Sequence, residues 1–152
     1  MNDELRELYQ EVILDHNKRP QNFGHLSNSN READGHNPLC GDHISVSLLL
    51  ENDKIQDLKF EGQGCAISKA SASMMTSAVK GKSVSEAEKI FANFQAMVTS
   101  DHEPSEDEAE LMGKLTVFAG VRDYPSRVKC ASLAWHTLQA ALNSADKPVT
   151  TE

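Results

Sequence analysis

Ile44-Ser45-Val46-Ser47-Leu48-Leu49-Leu50, followed by Glu51-Asn52-Asp53-Lys54 and then Ile55-Gln56-Asp57-Leu58-Lys59-Phe60, is the stretch whose reading decides the fold class. Alternate side chains of an extended chain share a face, so Ile44, Val46, Leu48 and Leu50 point one way and Ser45 and Ser47 the other. The polar segment 51–54 reads as a turn and 55–60 as a second strand, which makes the pair an antiparallel hairpin. Immediately afterwards the period becomes helical. Residues 65–79 are rich in Ala, Ser and Met, with Ile67, Ala70, Met74 and Ala78 on one stripe. Strands early and helices late is the order of an α+β fold.

Towards the N-terminus, Leu5, Leu8, Tyr9, Val12 and Ile13 recur at helical spacing, with Asn2 as a cap and Pro20 as the limit. Residues 17–37, rich in Asn, Gly, His and Pro, read mainly as loop or irregular strand. Towards the C-terminus, Ser83 with Glu86 and Ser105 with Glu108 match the capping-box pattern and predict two helix starts. The first leads into Val84, Ala87, Phe91, Phe94 and Val98. The second carries Leu111, Met112, Leu115 and Phe118, with Gly120 as its stop. A last helix is expected from near Ser126 to about Leu142, through Val128, Trp135 and Leu138. The expectation is a small antiparallel sheet of about three strands packed against about five helices. It forms one domain over 1–143, followed by a polar, flexible tail over 144–152.

Length and charge narrow the function classes. The chain has 152 residues without internal repeat, and 15 Lys+Arg against 23 Asp+Glu give a net charge of −8. An acidic chain without basic clusters is a poor partner for nucleic acid. The start, Asn2-Asp3-Glu4-Leu5, reads as no signal peptide, and the most apolar segment, 44–50, is far too short to span a membrane. Three cysteines is an odd number, which argues against a disulfide framework and for a reducing, cytoplasmic setting.

The thiols are Cys40, Cys65 and Cys130, with no Cys-x-x-Cys pair among them. Cys40-Gly41-Asp42 runs straight into the first strand. With regular alternation Cys40 and Asp42 share the face of Ile44, although a bulge at Gly41 would break that parity. Cys65 follows Gly62-Gln63-Gly64 and opens a helix, where glycines let backbones approach and the N-terminus favours a thiolate. Cys130 is expected in about the first turn of the last helix. Two readings stand side by side: three unrelated core cysteines, or a shared site in which three thiolates and the Asp42 carboxylate close a tetrahedral set for zinc. Such a site would carry a formal charge of about −2, which is unfavourable in apolar surroundings. Arg127 and Lys129, flanking Cys130, read either as solvated surface charge or as groups that offset this charge or guide an anionic sulfur donor. His43 should point opposite to Asp42 and is disfavoured as a ligand. His16, His25, His102 and His136 read as surface or partly buried, and Trp135, Phe91, Phe94, Met74 and Met75 as packing. Walker, dinucleotide-binding and nucleophile-elbow motifs are absent from the sequence.

Pro38-Leu39-Cys40-Gly41-Asp42, Gly62-Gln63-Gly64-Cys65-Ala66-Ile67-Ser68 and Arg127-Val128-Lys129-Cys130-Ala131, in that order, resemble the three cysteine motifs of the IscU/NifU N-terminal family, and more closely those of its SufU branch. The segment Asp15-His16-Asn17-Lys18-Arg19-Pro20-Gln21-Asn22 is similar as well, so the resemblance covers nearly the whole chain apart from the tail. The chain departs from the IscU branch in two places. Lys129 stands where that branch has a His, and Tyr124-Pro125-Ser126-Arg127 replaces its Leu-Pro-Pro-Val-Lys chaperone-recognition segment. Residues 113–122 look like the extra stretch of SufU proteins. The resemblance implies an IscU/SufE-like fold and zinc held by Cys40, Asp42, Cys65 and Cys130. It also implies, as partners, the PLP-dependent cysteine desulfurase SufS, which donates persulfide sulfur, and downstream Suf assembly components.

The function then expected is zinc-dependent sulfur transfer for iron–sulfur cluster assembly, by a carrier that stimulates the desulfurase and is not a stand-alone enzyme. Cys40 is the expected acceptor, because a glycine-flanked position before a strand moves at little cost. Two alternatives remain: a scaffold that assembles a labile [2Fe–2S] cluster on the same residues, and a structural zinc module that only binds partners.

Overall fold

The computed structural model describes residues 3–38, 41–100, 103–143 and 149–150. Helix α1 (Asp3–Lys18) leads through a turn-rich stretch into strands β1 (Arg31–Asn37), β2 (Asp42–Glu51) and β3 (Lys54–Gln63). The chain then becomes helical, with α2 (Ala66–Val79), α3 (Val84–Thr99), α4 (Glu106–Met112), a 3-10 segment (Gly113–Asp123) and α5 (Pro125–Leu142). A two-residue strand, β4 (Val149–Thr150), follows. The sheet runs β3-β2-β1-β4, antiparallel through the first three strands and parallel between β1 and β4. Three antiparallel strands under five helices is the α+β architecture read from the sequence. Val149 and Thr150 fall in the stretch expected as a tail, whose residues 144–148 and 151–152 lie outside the described residues.

The hairpin forms where the alternation places it. Val46 pairs with Phe60 and Leu48 with Leu58. Asn52 and Asp53 both adopt positive φ, +54° and +61°, the conformation of a tight turn whose twist matches its strands. Ile44, Val46, Leu48, Leu58 and Phe60 are all buried on the inner face. β1 was not legible in the same way. Its inner face is Ala33, Gly35 and Asn37, too poor in apolar side chains to signal a strand, and pairing with β2 defines it.

Both capping serines start helices, Ser83 accepting from the Glu86 amide and Ser105 forming a reciprocal box with Glu108. The helix after Ser105 ends earlier than expected. Gly113, at φ +58°, closes α4, and the chain continues as 3-10 helix instead of running on to Gly120. Leu115, Phe118 and Val121 are all buried. Their spacing of three residues matches the three-residue turn of a 3-10 helix, which keeps them on one side. Pro125 in the first turn begins α5, where its missing N–H costs nothing.

α5 lies on β1 and β2 and carries the centre of the core. Trp135 is fully buried and stacks with Phe94 at 5.1 Å between ring centroids, and Phe94 meets Phe118 edge-on at 5.8 Å. α2 packs between α1 and α5 through small side chains, and Ser71 donates to the Ala131 carbonyl at 2.6 Å. This close approach brings the start of α2 to the end of the sheet where β2 begins. Among the described residues, no helix is long and apolar enough to cross a membrane.

Candidate metal centre

Asp42 opens β2, Cys65 caps α2 and Cys130 lies in α5. One ligand atom from each lies within 4.8 Å of the others. Cys40 lies outside the described residues. Gly41, between it and Asp42, has a left-handed backbone, φ +72°, and β2 begins after it.

Asp42 is buried on the same inner face as Ile44 and Val46. Its Oδ1 accepts the Cys65 amide at 2.8 Å, which leaves Oδ2 facing the Cys65 Sγ at 3.8 Å. Gly64 makes this approach possible: a Cβ there would stand 2.3 Å from Oδ1. The Cys65 Sγ accepts from the Ser68 amide at 3.4 Å, as the cap of α2. Its bond with the Cys130 side chain, helped by the helix-start amides, lowers its pKa to about 7 against the opposing effects of burial and the Asp42 charge. The same contacts favour a thiolate at this position. Cys130 is buried and is the sixth residue of α5, which begins at Pro125, one residue before the expected start.

Sequence reasoning missed Asn37. It pairs with Asp42 at the end of the β1–β2 ladder and is fully buried. Its amide donates to Asp42 Oδ2 at 3.4 Å and to Cys130 Sγ at 3.6 Å, linking two of the candidate ligands. Arg127 and Lys129 make no ion pair with Asp42 among the described residues. The Arg127 guanidinium lies over the exposed Tyr124 ring, 4.5 Å from its centroid. His43 points outward, 3.6 Å from Asp34.

A tetrahedral zinc with Zn–S bonds of about 2.3 Å separates its sulfur ligands by about 3.8 Å. The cluster has this scale, and thiols with one carboxylate suit zinc or an iron–sulfur cluster. The residues fit such a group.

The fold thus gathers a thiol–carboxylate cluster between its sheet and helices α2 and α5. Residues 8–131 match the NifU-like N terminal domain, and the chain belongs to that family. It is 43% identical, over 91% of its length and 84% of the relative's, to the iron–sulfur cluster assembly scaffold protein IscU of Streptococcus pyogenes. It is also 43% identical, over 91% of each chain, to the zinc-dependent sulfurtransferase SufU of Bacillus subtilis. A crystal structure from Fervidobacterium islandicum, described as an iron–sulfur cluster assembly scaffold protein for the SUF system, superposes with a TM-score of 0.80 at 36% identity. That match covers 90% of this chain and 98% of the other.

Proposed function

We propose that the chain is a cytoplasmic, zinc-dependent sulfur carrier of the SufU type, which takes persulfide sulfur from a cysteine desulfurase, SufS, and passes it to downstream Suf components. The observation that carries this reading is the convergence of Asp42, Cys65 and Cys130 from three separate elements. Two further facts support it: Lys129 and not His precedes the third cysteine, and the 43% identical relative from Bacillus subtilis is named for zinc-dependent sulfur transfer.

Cys40, Asp42, Cys65 and Cys130 are the ligands we assign. Bound zinc holds its ligand thiols as thiolates at neutral pH. The chain's own groups do the rest. The Cys65 amide and the Asn37 side chain fix the Asp42 carboxylate, and the first amides of α2 favour negative charge on Cys65. Cys40 is the acceptor. Its neighbour Gly41 has nothing within 4 Å of the place a Cβ would take, so the chain there has room to move. In the transfer, the Cys40 thiolate attacks the terminal sulfur of the desulfurase persulfide. A new S–S bond forms on Cys40 as the old one breaks, and the desulfurase cysteine leaves as thiolate. One sulfur atom moves and no electrons are gained or lost overall. Arg127 and Lys129 at the start of α5 are assigned to contact with the partner or tuning of the site.

The test is to supply SufS with radiolabelled cysteine in the presence of the zinc-loaded chain. Strong stimulation of turnover is expected, with label carried on Cys40 and lost in Cys40→Ala. Labelling of Cys40→Ala at the wild-type rate overturns the acceptor assignment. No stimulation at saturating protein would leave a structural zinc module. The identity to the Streptococcus pyogenes scaffold favours a second reading, a labile [2Fe–2S] scaffold. A brown protein with charge-transfer bands, purified without added iron, would select it.

A further inference from the structure

The segment 22–24 closes the edge of β3. The Phe60 amide donates to the Asn22 carbonyl at 3.0 Å, and the Gly24 amide donates to the Phe60 carbonyl at 2.7 Å. The Phe23 side chain between these bonds lies against α2 and is 44% exposed. Its ring meets the buried Phe60 edge-on at 5.3 Å between centroids, and Lys69 Nζ lies 5.2 Å over it. The stem of Lys59 runs past Gly24, its Cδ 3.9 Å from the place a Cβ there would take. Neither lysine makes an ion pair among the described residues. Lys69 stands four residues after Cys65, and its amide donates to the Cys65 carbonyl at 3.1 Å. Residues at this spacing are neighbours on a helix surface, so the half-buried Cys65 adjoins Lys69 and, through it, Phe23.

We propose that Phe23, Lys59 and Lys69 form a docking surface, on the α2 side of the thiol cluster, for the desulfurase segment that brings the persulfide. The segment it fits presents an apolar side chain to Phe23 and carboxylates to the two lysines. This rests on the sulfur-carrier reading and adds to it the surface that holds the donor. Charge selects the occupant. The chain carries a net charge of −8 and repels acidic surfaces at long range. Here, by contrast, it offers two ammonium groups that no carboxylate among the described residues neutralises, and a partner carboxylate gains charge-assisted hydrogen bonds from them. The Phe23 ring is already held between Phe60 and Lys69, so it loses little freedom when a partner covers it. Aromatic side chains of this kind carry much of the contact energy of protein interfaces. Because Lys69 is one helical turn from Cys65, a segment held here lies alongside the thiols. With Arg127 at the start of α5, the donor is held on both helices that flank the cluster.

Binding of the zinc-loaded chain to SufS, followed by biolayer interferometry, tests this. Lys59→Glu, Lys69→Glu and Phe23→Ala should each weaken binding about fivefold, and the double lysine variant about twentyfold. Lys89→Glu reverses an exposed lysine on α3 and should leave binding unchanged, which separates the patch from net charge. Raising the salt concentration from about 0.05 M to about 0.3 M should weaken the wild type more than the double variant. The lysine ammonium groups hold no partner within the chain, so zinc content and melting temperature of the lysine variants should match the wild type. Wild-type affinity in Lys59→Glu/Lys69→Glu, or an equal loss in Lys89→Glu, overturns the docking surface and leaves the carrier reading standing. Absence of any binding by the wild-type chain overturns the carrier reading and this surface with it.

Discussion

Asn37 touches two candidate ligands without being one, and its chemistry defines its role. Both of its neighbours, Asp42 Oδ2 and Cys130 Sγ, are acceptors, so the amide NH2 faces them and holds them at a fixed separation. Asn37→Ala should therefore weaken zinc binding by about ten- to a hundredfold, the usual cost of losing a group that orients ligands. Competition with a chromophoric chelator measures this, with circular dichroism to confirm the fold. An unchanged zinc affinity would reduce Asn37 to packing. Cys65 and Cys130 stood out in the sequence as thiols near helix starts, and Asp42 through its place two residues after Cys40 at a strand start; the structure brings these three together. Asn37 did not stand out, since asparagine also belongs to the turns among which residues 17–37 were counted. The Phe23–Lys69 contact needed the packing of segment 22–24 against α2, which single-sequence periodicity does not supply.

At the scale of elements, α1 is pinned to α2 through polar groups. His16 is buried with Nδ1 2.8 Å from Ser73 Oγ, and the Gln21 amide donates to the same oxygen. Periodicity alone read His16 as a surface or partly buried group, because nothing local says that α2 will cover it. Burial pushes His16 below its ordinary pKa of 6.5, Lys114 acting in the same direction and Asp15 opposing, and burial does the same to His136. Below about pH 6.5 the unfolded chain takes up protons that the folded chain refuses. Stability on this account is complete above that value and is lost as pH falls towards the folded pKa values. The urea midpoint should drop between about pH 7.5 and about pH 5.5, and His16→Gln should flatten the drop. An identical pH dependence in His16→Gln would contradict the role given to this residue. Helix starts were readable because serine caps act locally, within three residues. The length of α4 was not, since the apolar spacing of Leu115, Phe118 and Val121 suits a 3-10 turn as well as an amphipathic helix.

For the whole molecule, the balance between core and metal decides how the protein responds to chelation. Trp135, Phe94, Phe118, Leu48, Leu58 and Phe60 are buried without help from the thiol cluster, and removing a side chain such as Trp135 would cost about 3–5 kcal/mol. The fold should therefore survive metal removal, unlike that of a small zinc finger. Chelation should leave the far-ultraviolet circular dichroism nearly unchanged and lower the melting temperature by several degrees, at about 2–4 °C per kcal/mol for a chain of this size. Loss of the helical signal on chelation would show instead that the metal nucleates the fold. The central claim is that Cys40, Asp42, Cys65 and Cys130 hold zinc. Zinc K-edge X-ray absorption of the chain purified without added iron tests it most directly. The expected result is about one zinc per chain, with about three sulfur neighbours near 2.3 Å and about one oxygen near 2.0–2.2 Å. A shell dominated by nitrogen or oxygen, or protein that carries iron and sulfide in place of zinc, would contradict it.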